Sequence, residues 1–362
     1  MATQRVFRLP QRTSVQDLVS GTEPVPEPSP NEVLIHIRSV ALNFRDFAVA
    51  TGKYPFPVKD NAVPCSDLSG DVVKVGHHVD DFAKGDRVIA AFDLSTLYGA
   101  MKDWNHSLGG MLDGTLREFI ALPSSALVKT PAESKLSYFQ LSALVCTGST
   151  AWNSLYGNVA LKPGQTVLFL GTGGVSITGL ILAKAAGATI IITSSSDSKP
   201  KHVQDTYGAD FTVNYKTTPD WSQEVLRLTN GRGADFVLEN GGAGTIAQSI
   251  GADQMPDVAA LALSKGAVVR GIMVGSKQHL EEVARYVVAR GLAVPVEKEF
   301  GSGRDDIVAA FEYLTSGTHV GTVCIRMSRV TRPGSCGRWS SDADASYECH
   351  WPLILARSRN RR

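Results

Sequence analysis

One short segment limits the possible folds more than any other. Over residues 166–184, the apolar run TVLFL is followed by Gly171-Thr-Gly-Gly-Val-Ser and then by a helical pattern. In such a strand–turn–helix, glycines allow a tight turn and close backbone approach, and the helix amino terminus offers N–H groups to a phosphate. The segment predicts a dinucleotide site that includes Gly171, Gly173, Gly174 and Val175. An ordinary turn between a strand and a helix is the alternative.

The same alternation of strands and helices continues along the chain. Strand patterns at 189–193, 211–215, 234–239 and 267–274 are separated by helical patterns, which is typical of a doubly wound parallel sheet. Residues 1–130 instead contain short β-branched runs punctuated by glycine, and these favour a barrel-like domain. The fold class is therefore α/β, with a barrel and a parallel sheet.

These patterns divide the chain into three parts. Residues 1–130 are expected to form the barrel-like domain, and residues 131–290 the dinucleotide-binding domain. From 327 to 362 the chain is rich in Arg and Ser without periodicity, so a disordered tail is expected. An RNA-binding tail is the alternative, which the dispersed arginines disfavour.

Composition excludes several classes of partner. The chain has 36 basic and 35 acidic residues, a formal net charge of +1, so no global positive field attracts a nucleic acid or an anionic membrane. No apolar run approaches the roughly 20 residues of a membrane span, and the amino terminus lacks a signal core. The five cysteines include no CxxC pair. A soluble, cytoplasmic protein acting on a small molecule is expected.

The residues after the second strand of the parallel sheet indicate which dinucleotide binds. NAD-binding chains usually place an acid there for the ribose 2′-hydroxyl, but this chain has Ser194, Ser195 and Ser196. Small hydroxyls leave room for a 2′-phosphate, and Lys199 can supply positive charge. NADP is therefore favoured over NAD. The alternative for Lys199 is a solvated lysine at a helix start.

Several motifs together resemble one enzyme family. They are ALNFRD (41–46), PCSDLSGDVVKVG (64–76), GDRV (85–88), TGSTAW (147–152), LKPGQTVLFLGTGGVS (161–176) and LTNGRGADFVLENGG (228–242). Over residues 5–326 the chain resembles the medium-chain dehydrogenase/reductase superfamily, in its quinone-oxidoreductase and zinc-type alcohol-dehydrogenase-like branch. The resemblance implies a GroES-like substrate domain formed by residues 1–130 and 291–326, a Rossmann domain over 131–290, and an active site in the cleft between them. Relatives are commonly homodimers.

The resemblance also implies roles for individual residues. Asn43 would lie beside the nicotinamide and bind substrate or a water, with Asp46 and Arg45 fixing its loop. Tyr54 would line the pocket or donate a proton, unless it is simply a loop aromatic. No residue is an obvious general acid, so the proton is expected from solvent. Further cofactor contacts are implied at Thr147, Thr150, Tyr215, Asn240, Gly241, Gly275 and Ser276.

A catalytic zinc is not expected. The positions that hold this metal in zinc-dependent relatives match Asn43, Ser66 with Asp67, and Ala143. Asn, Ser and Ala cannot replace thiolate and imidazole at a tetrahedral zinc site. Cys65 and Cys146 are interpreted as buried small hydrophobes.

Loss of zinc changes the expected chemistry. Deprotonating an alcohol is harder without a metal, so hydride delivery from NADPH to a quinone, an enone or a related carbonyl is favoured. The loop at 98–114 is expected to form a wall of the substrate pocket with Tyr98, Trp104, Asn105 and His106. The alternatives are a silent nucleotide-binding protein, a defective splice form, and an alcohol dehydrogenase that binds zinc elsewhere.

Two features depart from the family pattern. Relatives have a further strand near residue 250, whereas Ile250 runs directly into GADQMPDVAALALSKG. The run at 258–263 could fill that place only by giving up its helix. The atypical tail is the second departure, and Thr322 stands where relatives usually carry Lys. Both departures suggest a mis-spliced or truncated reading of a gene, which a transcript read across the Ile250–Gly251 junction would test.

Overall fold

The computed structural model describes residues 2–196, 198–240, 245–249 and 258–327, which contain β-sheets of two, four and seven strands. The strands are β1 (Thr3–Arg8), β2 (Val19–Pro24), β3 (Glu32–Leu42), β4 (Asp67–Val75), β5 (Arg87–Ala90), β6 (Phe119–Pro123), β7 (Leu127–Lys129), β8 (Thr166–Phe169), β9 (Thr189–Ser194), β10 (Phe211–Asn214), β11 (Phe236–Leu238), β12 (Val296–Phe300) and β13 (Thr322–Arg326). The helices are α1 (Phe44–Ala50), α2 (Tyr138–Ala143), α3 (Ser149–Tyr156), α4 (Gly174–Ala185), α5 (Ser198–Tyr207), α6 (Trp221–Leu228), α7 (Ile246–Ser249), α8 (Val258–Lys265), α9 (Lys277–Arg290) and α10 (Arg304–Thr315).

The seven-stranded sheet is organised around β3. This strand pairs antiparallel with β13, β4 and β6 along its eleven residues. Its alternating sequence buries Val33, Ile35 and Ile37 in one core, as the two-residue period of a strand requires. Because β3 ends at Leu42 and α1 begins at Phe44, the turn between them carries Asn43.

The four-stranded sheet is parallel throughout, in the order β10, β9, β8, β11. Val167, Leu168 and Phe169 of β8 are all buried, because a parallel strand between helical layers has no solvent-facing side. The strands predicted at 166–170, 189–193, 211–215 and 234–239 are confirmed, and so is the α/β class.

The strand predicted at 267–274 is wrong. These residues form no regular structure before α9, and Val268 and Val269 are 68% and 49% exposed. A parallel strand needs neighbours that satisfy its backbone groups. Within the described ranges, β11 pairs with β8 alone, so no strand is in place to pair with residues 267–274.

The described residues also contain no strand at 258–263, the run that could have taken the place of the strand expected near residue 250. Residues 258–263 lie in α8, so this run keeps its helix and does not fill the sheet. The Ile250–Gly251 junction and the tail from 328 to 362 lie outside the described residues.

A helical segment connects the two larger sheets. The helical pattern predicted over 136–156 is confirmed as α2 and α3, with a π-helical turn, Leu144–Gly148, between them. Tyr138 donates to Asp71 Oδ1 at 2.5 Å, which attaches α2 to β4, and α3 packs on α4. Such π-helical turns are rare and often occur at functional sites. None of the described helices is both long and apolar enough to cross a bilayer.

Candidate active site

The turn between β8 and α4 has the geometry of an anion site. Gly171 has φ +76°, which a side chain would disfavour, and its N–H donates to Thr193 Oγ1 at 3.1 Å. A Cβ added to Gly171 or Gly173 would meet no atom within 4 Å, so the space beside them is open. The first turn of α4, which begins at Gly174, directs unpaired N–H groups into it. The turn fits a dinucleotide pyrophosphate.

Two polar side chains form hydrogen bonds that fix this turn. Ser176, the sixth residue of the glycine pattern, is buried, and its hydroxyl donates to the Leu170 carbonyl at 3.0 Å. Asn240 Nδ2 donates to Ser176 Oγ at 3.1 Å. The end of β11 is thereby joined to the turn through Asn240. The predicted contact Gly241 lies outside the described residues.

Residues from β13 and the π-helical turn also reach the start of α4. The Gly321 N–H donates to the Thr172 carbonyl at 3.1 Å. A Cβ on Gly174 would lie 2.8 Å from Thr147 Cγ2 and 2.9 Å from Thr322 Oγ1. The two threonines therefore contact the first residue of α4. Thr147 was predicted as a cofactor contact near the nicotinamide, whereas Thr322 was not predicted as a contact.

The serines expected to accommodate a 2′-phosphate lie at the end of β9. Ser194 is buried, and its Oγ accepts the Ser196 N–H at 3.3 Å, whereas Ser195 is partly exposed. Tyr215, whose N–H donates to the Ser194 carbonyl at 3.0 Å, is 41% exposed. Ser194 and Tyr215 are thus joined at the ends of β9 and β10. Thr150 lies apart from them on α3 and is partly buried.

Lys199 does not extend freely into solvent. Its ammonium group donates to the Gly317 carbonyl and, at 3.4 Å, to the His319 carbonyl. Burial lowers the pKa of Lys199. Lys199 lies at the start of α5 and is partly exposed, and its role in binding a 2′-phosphate stays a prediction. To neutralise a 2′-phosphate, the ammonium group would have to exchange these carbonyls for the ligand.

The segment before α9 packs on α3 although it forms no strand. Asn153 Nδ2 donates to the Val274 carbonyl at 2.7 Å, and a Cβ on Gly275 would lie 2.9 Å from Ser149 Cβ. Ser276 is the N-cap of α9. Gly275 and Ser276 are thus held in defined positions.

Asn43 lies in a buried polar cluster at the start of α1. Its backbone N–H donates to Asp46 Oδ2 at 2.8 Å, while Arg45 Nη1 lies 3.7 Å from Asp46 Oδ1 and donates to the Leu108 carbonyl at 2.8 Å. Asn43 is 9% exposed, and its side chain hydrogen-bonds the Asp67 carboxyl group and lowers the pKa of that group. Asp46 and Arg45 therefore fix the turn that holds the Asn43 amide beside Asp67.

Burial raises the pKa of two carboxyl groups in this cluster. It raises the pKa of Asp46 to about 7, opposed by Arg45. It raises the pKa of Asp67 to about 6, against hydrogen bonds from the Ser66 hydroxyl at 2.7 Å, from the Asn43 side chain and from the Cys146 N–H at 2.9 Å. The sequence revealed no general acid, whereas the fold places two buried candidates in the cluster of Asn43.

The donor set in this cluster does not fit a catalytic zinc. Both oxygens of Asp67 accept hydrogen bonds from the protein, and Ala143 contributes only a carbonyl that Thr147 Oγ1 approaches at 2.5 Å. Cys146, rather than Ala143, lies beside Asp67. Burial raises the pKa of the Cys65 and Cys146 thiols well above the usual range. No group of three or more His, Cys, Asp and Glu within the described ranges could hold a metal ion.

An aromatic group covers the guanidinium of Arg45. Arg45 Nε donates to the Tyr54 hydroxyl at 3.2 Å, and burial raises the pKa of Tyr54. The Trp104 ring stacks on Phe56 at 4.0 Å and meets Tyr54 edge-on at 5.9 Å. Tyr54 and Trp104 are thus brought together, as a pocket wall requires. The other residues expected in this wall are exposed: Tyr98, Asn105 and His106.

Sequence reasoning named Asp67, Cys146 and Thr322 but missed the contacts that they make. Thr322 reaches the glycine turn only because β13 returns to it, and no local pattern shows this. Cys146 contributes a backbone N–H, which carries no sequence signal. The contacts of Asp67 could have been found, because an acid opening a strand of buried residues needs partners.

Comparison with known proteins identifies the family. A profile described as Alcohol dehydrogenase GroES-like domain matches residues 29–132, and one described as Zinc-binding dehydrogenase matches residues 174–254. A zinc-type alcohol dehydrogenase-like protein of Schizosaccharomyces pombe is 37% identical over 322 residues, covering 83% of this chain and 92% of that protein. The chain belongs to the medium-chain dehydrogenase/reductase superfamily.

Other members of this superfamily agree in fold and in sequence. A crystal structure named for an alcohol dehydrogenase of Sinorhizobium meliloti 1021 has a TM-score of 0.79 and 32% identity, covering 90% of this chain and 100% of the other. A quinone oxidoreductase-like protein 2 homolog of Nematostella vectensis is 32% identical over 221 residues, covering 61% of this chain and 54% of that protein. The GroES-like domain and Rossmann-like sheet are confirmed. This medium-chain dehydrogenase/reductase is a nicotinamide-dependent oxidoreductase.

Proposed function

We propose that this chain delivers hydride from NADPH to a quinone, an enone or a related carbonyl without zinc. The observation that carries the proposal is the amide of Asn43, which is buried beside the Asp67 carboxyl group in a turn fixed by Asp46. Such an amide stabilises the negative charge that develops on a carbonyl oxygen when hydride arrives. It cannot activate an alcohol in the way that a metal can.

The open turn at Gly171 and Gly173 supports dinucleotide binding, and the hydroxyls of Ser194 and Ser195 support NADPH rather than NADH. Bound NADPH supplies the hydride. Asn43 and the aromatic residue Tyr54 form the part of the site that would face the substrate carbonyl.

The proton that completes the reduction has a source in the same cluster. Asp46 Oδ1 is buried and has no hydrogen-bond partner among the described residues. With the pKa of Asp46 at about 7, this oxygen can hold a proton at neutral pH and release it.

A second candidate is a nucleotide-binding protein without turnover, including a defective form of an alcohol-dehydrogenase-like enzyme. The unpaired segment at 267–274 favours it, because this segment leads into Gly275 and Ser276. A misplaced segment there would disturb substrate placement but leave the glycine turn intact.

NADPH oxidation over a panel of a benzoquinone, an unsaturated ketone and a simple aldehyde tests the proposal. The purified chain is first dialysed against a chelator, and its zinc content is measured. We expect turnover of at least one acceptor that chelation does not change. Stoichiometric zinc with loss of activity on chelation would refute the zinc-free mechanism, and binding without turnover on any acceptor would favour the second candidate.

A further inference from the structure

The guanidinium group of Arg45 keeps one nitrogen without a partner. Its Nε and Nη1 donate to the Tyr54 hydroxyl and the Leu108 carbonyl, at 3.2 and 2.8 Å. Its Nη2 is buried and has no hydrogen-bond partner in the part of the chain that the structure describes, in a side chain that is 10% exposed. Arginine does not lose its proton in a protein, so a buried N–H of this group requires an acceptor. A ligand oxygen or an ordered water would supply it.

Arg45 also shares a carboxyl group with Asn43. Arg45 Nη1 lies 3.7 Å from Asp46 Oδ1, and the backbone N–H of Asn43 donates to Asp46 Oδ2 at 2.8 Å. Burial raises the pKa of Asp46 to about 7, so near that pH its carboxyl group balances only part of the charge on Arg45. The guanidinium therefore retains positive charge for a ligand oxygen, and it lies in the same short turn as Asn43.

Gly110 keeps one side of this nitrogen free of any side chain. A Cβ added to Gly110 would lie 2.7 Å from Arg45 Nη2 and 2.9 Å from Ser107 Oγ, both shorter than an ordinary van der Waals contact. Because glycine has no Cβ, this space beside Nη2 is not filled by the protein. An unpartnered N–H and a space that a methyl group would fill thus occur together.

Aromatic rings lie against the same guanidinium. Arg45 Cζ is 4.7 Å from the centre of the Phe92 ring and 5.1 Å from the centre of the Tyr54 ring. Trp104 meets both rings edge-on, at 6.4 and 5.9 Å. Aromatic rings favour stacked or edge-on contact with another flat ring. The surroundings of Nη2 therefore fit an oxygen carried on a planar ring.

We propose that Arg45 Nη2 donates a hydrogen bond to the second oxygen of an acceptor that has two carbonyl groups, such as a 1,4-quinone, while Asn43 binds the first. This inference rests on the proposed function and narrows its substrate class, because an acceptor with one carbonyl cannot use both donors. Hydride from NADPH and one proton convert a quinone to a hydroquinone, and the negative charge present between these two transfers is shared by both oxygens. A charged donor stabilises that charge more than a neutral one does.

The test compares 1,4-benzoquinone with cyclohex-2-enone, a ring of the same size that has one carbonyl. Gly110→Ala places a methyl group against Nη2 and keeps the guanidinium, whereas Arg45→Lys removes Nη2 and keeps the charge. Gly21→Ala is the matched control, since its Cβ would approach only the Val6 carbonyl oxygen, at 4.0 Å. For each variant we measure kcat/KM for both acceptors, the dissociation constant for NADPH and the unfolding temperature.

We expect Gly110→Ala and Arg45→Lys to lower kcat/KM for 1,4-benzoquinone at least about tenfold. The value for cyclohex-2-enone should fall less than about threefold, and NADPH binding should not change. Gly21→Ala should alter none of these quantities. An equal loss for the two acceptors, or no loss for 1,4-benzoquinone, would overturn the inference. Turnover of neither acceptor by the parent would instead contradict the proposed function, and the inference with it.

A measurement on the parent protein tests the same contact without any substitution. Hydroquinone and phenol are compared as inhibitors of acceptor reduction under anaerobic conditions. Only hydroquinone has a second oxygen for Arg45, so we expect its inhibition constant to be at least about tenfold lower than that of phenol. Equal inhibition constants would overturn the inference even if both variants failed to fold.

Discussion

The Oδ2 atom of Asp67 accepts a hydrogen bond of 2.9 Å from the backbone N–H of Cys146. Asp67 opens β4 of the seven-stranded sheet, whereas Cys146 lies in the π-helical turn that leads to the dinucleotide site. One carboxylate oxygen thus joins the cluster around Asn43 to the segment that carries Thr147. Because Ser66 occupies the other oxygen, Asp67 acts as a structural link and not as a metal ligand.

Asp46 should make stability fall with rising pH. Burial raises its pKa from 3.8 to about 7, so between these values the folded state holds a proton that the unfolded chain has lost. The free energy of unfolding therefore decreases as pH rises from about 4 to about 7. Asp46→Asn cannot ionise and should flatten this dependence, leaving the smaller contribution of Asp67. Urea unfolding at several pH values measures this change in the free energy of unfolding. The exposed Asp60→Asn is the control, and a slope unchanged by Asp46→Asn would contradict the assignment.

Asn43→Ala should reduce turnover much more than cofactor binding. The substitution removes the amide that stabilises the developing oxyanion, and removal of one such donor typically costs about 10²-fold in kcat. The dissociation constant for NADPH should stay within about twofold, since that ligand is held at the glycine turn. Stopped-flow measurement of NADPH oxidation separates the two effects, with the exposed Asn105→Ala as control. A kcat for Asn43→Ala equal to that of the parent would remove Asn43 from the mechanism.

Gly173→Ala should abolish tight dinucleotide binding at no cost in stability. The added Cβ meets no protein atom within 4 Å and the backbone has φ −75°, so the fold accepts it, but it occupies the space that a pyrophosphate needs. We expect binding at least about tenfold weaker at an unchanged unfolding temperature. Gly271→Ala, where a Cβ also meets nothing, should change neither quantity. Unaltered binding by Gly173→Ala would place the dinucleotide elsewhere.

Arg45→Lys should destabilise the fold although it keeps the charge. The guanidinium donates to the Leu108 carbonyl and the Tyr54 hydroxyl and lies 4.7 Å from the centre of the Phe92 ring. An ammonium group cannot make these planar contacts together, so we expect a loss of about 1–3 kcal/mol in the free energy of unfolding. Urea titration measures this loss against the exposed Arg232→Lys. Equal losses in the two variants would show that the contacts of Arg45 contribute nothing.

Local patterns predicted the elements but not the contacts between distant segments. The alternation in β3 and the strand–glycine–helix at 166–184 are local, and both are present in the structure. The segment at 267–274 has strand-like residues, but a strand forms only beside a partner, which a local pattern does not contain. Likewise, the hydrogen bond from Cys146 to Asp67 joins residues 79 positions apart. The contact between Thr322 and Gly174 also joins residues that are far apart in sequence, so no local pattern contains it.

The most direct test of the central claim is a fluorescence titration of the purified chain with NADPH, with NADH as the comparator. The serines after β9 and the open glycine turn predict saturable NADPH binding, at least about tenfold tighter than NADH binding. Absence of binding by either nucleotide, or equal affinity for both, would contradict the claim.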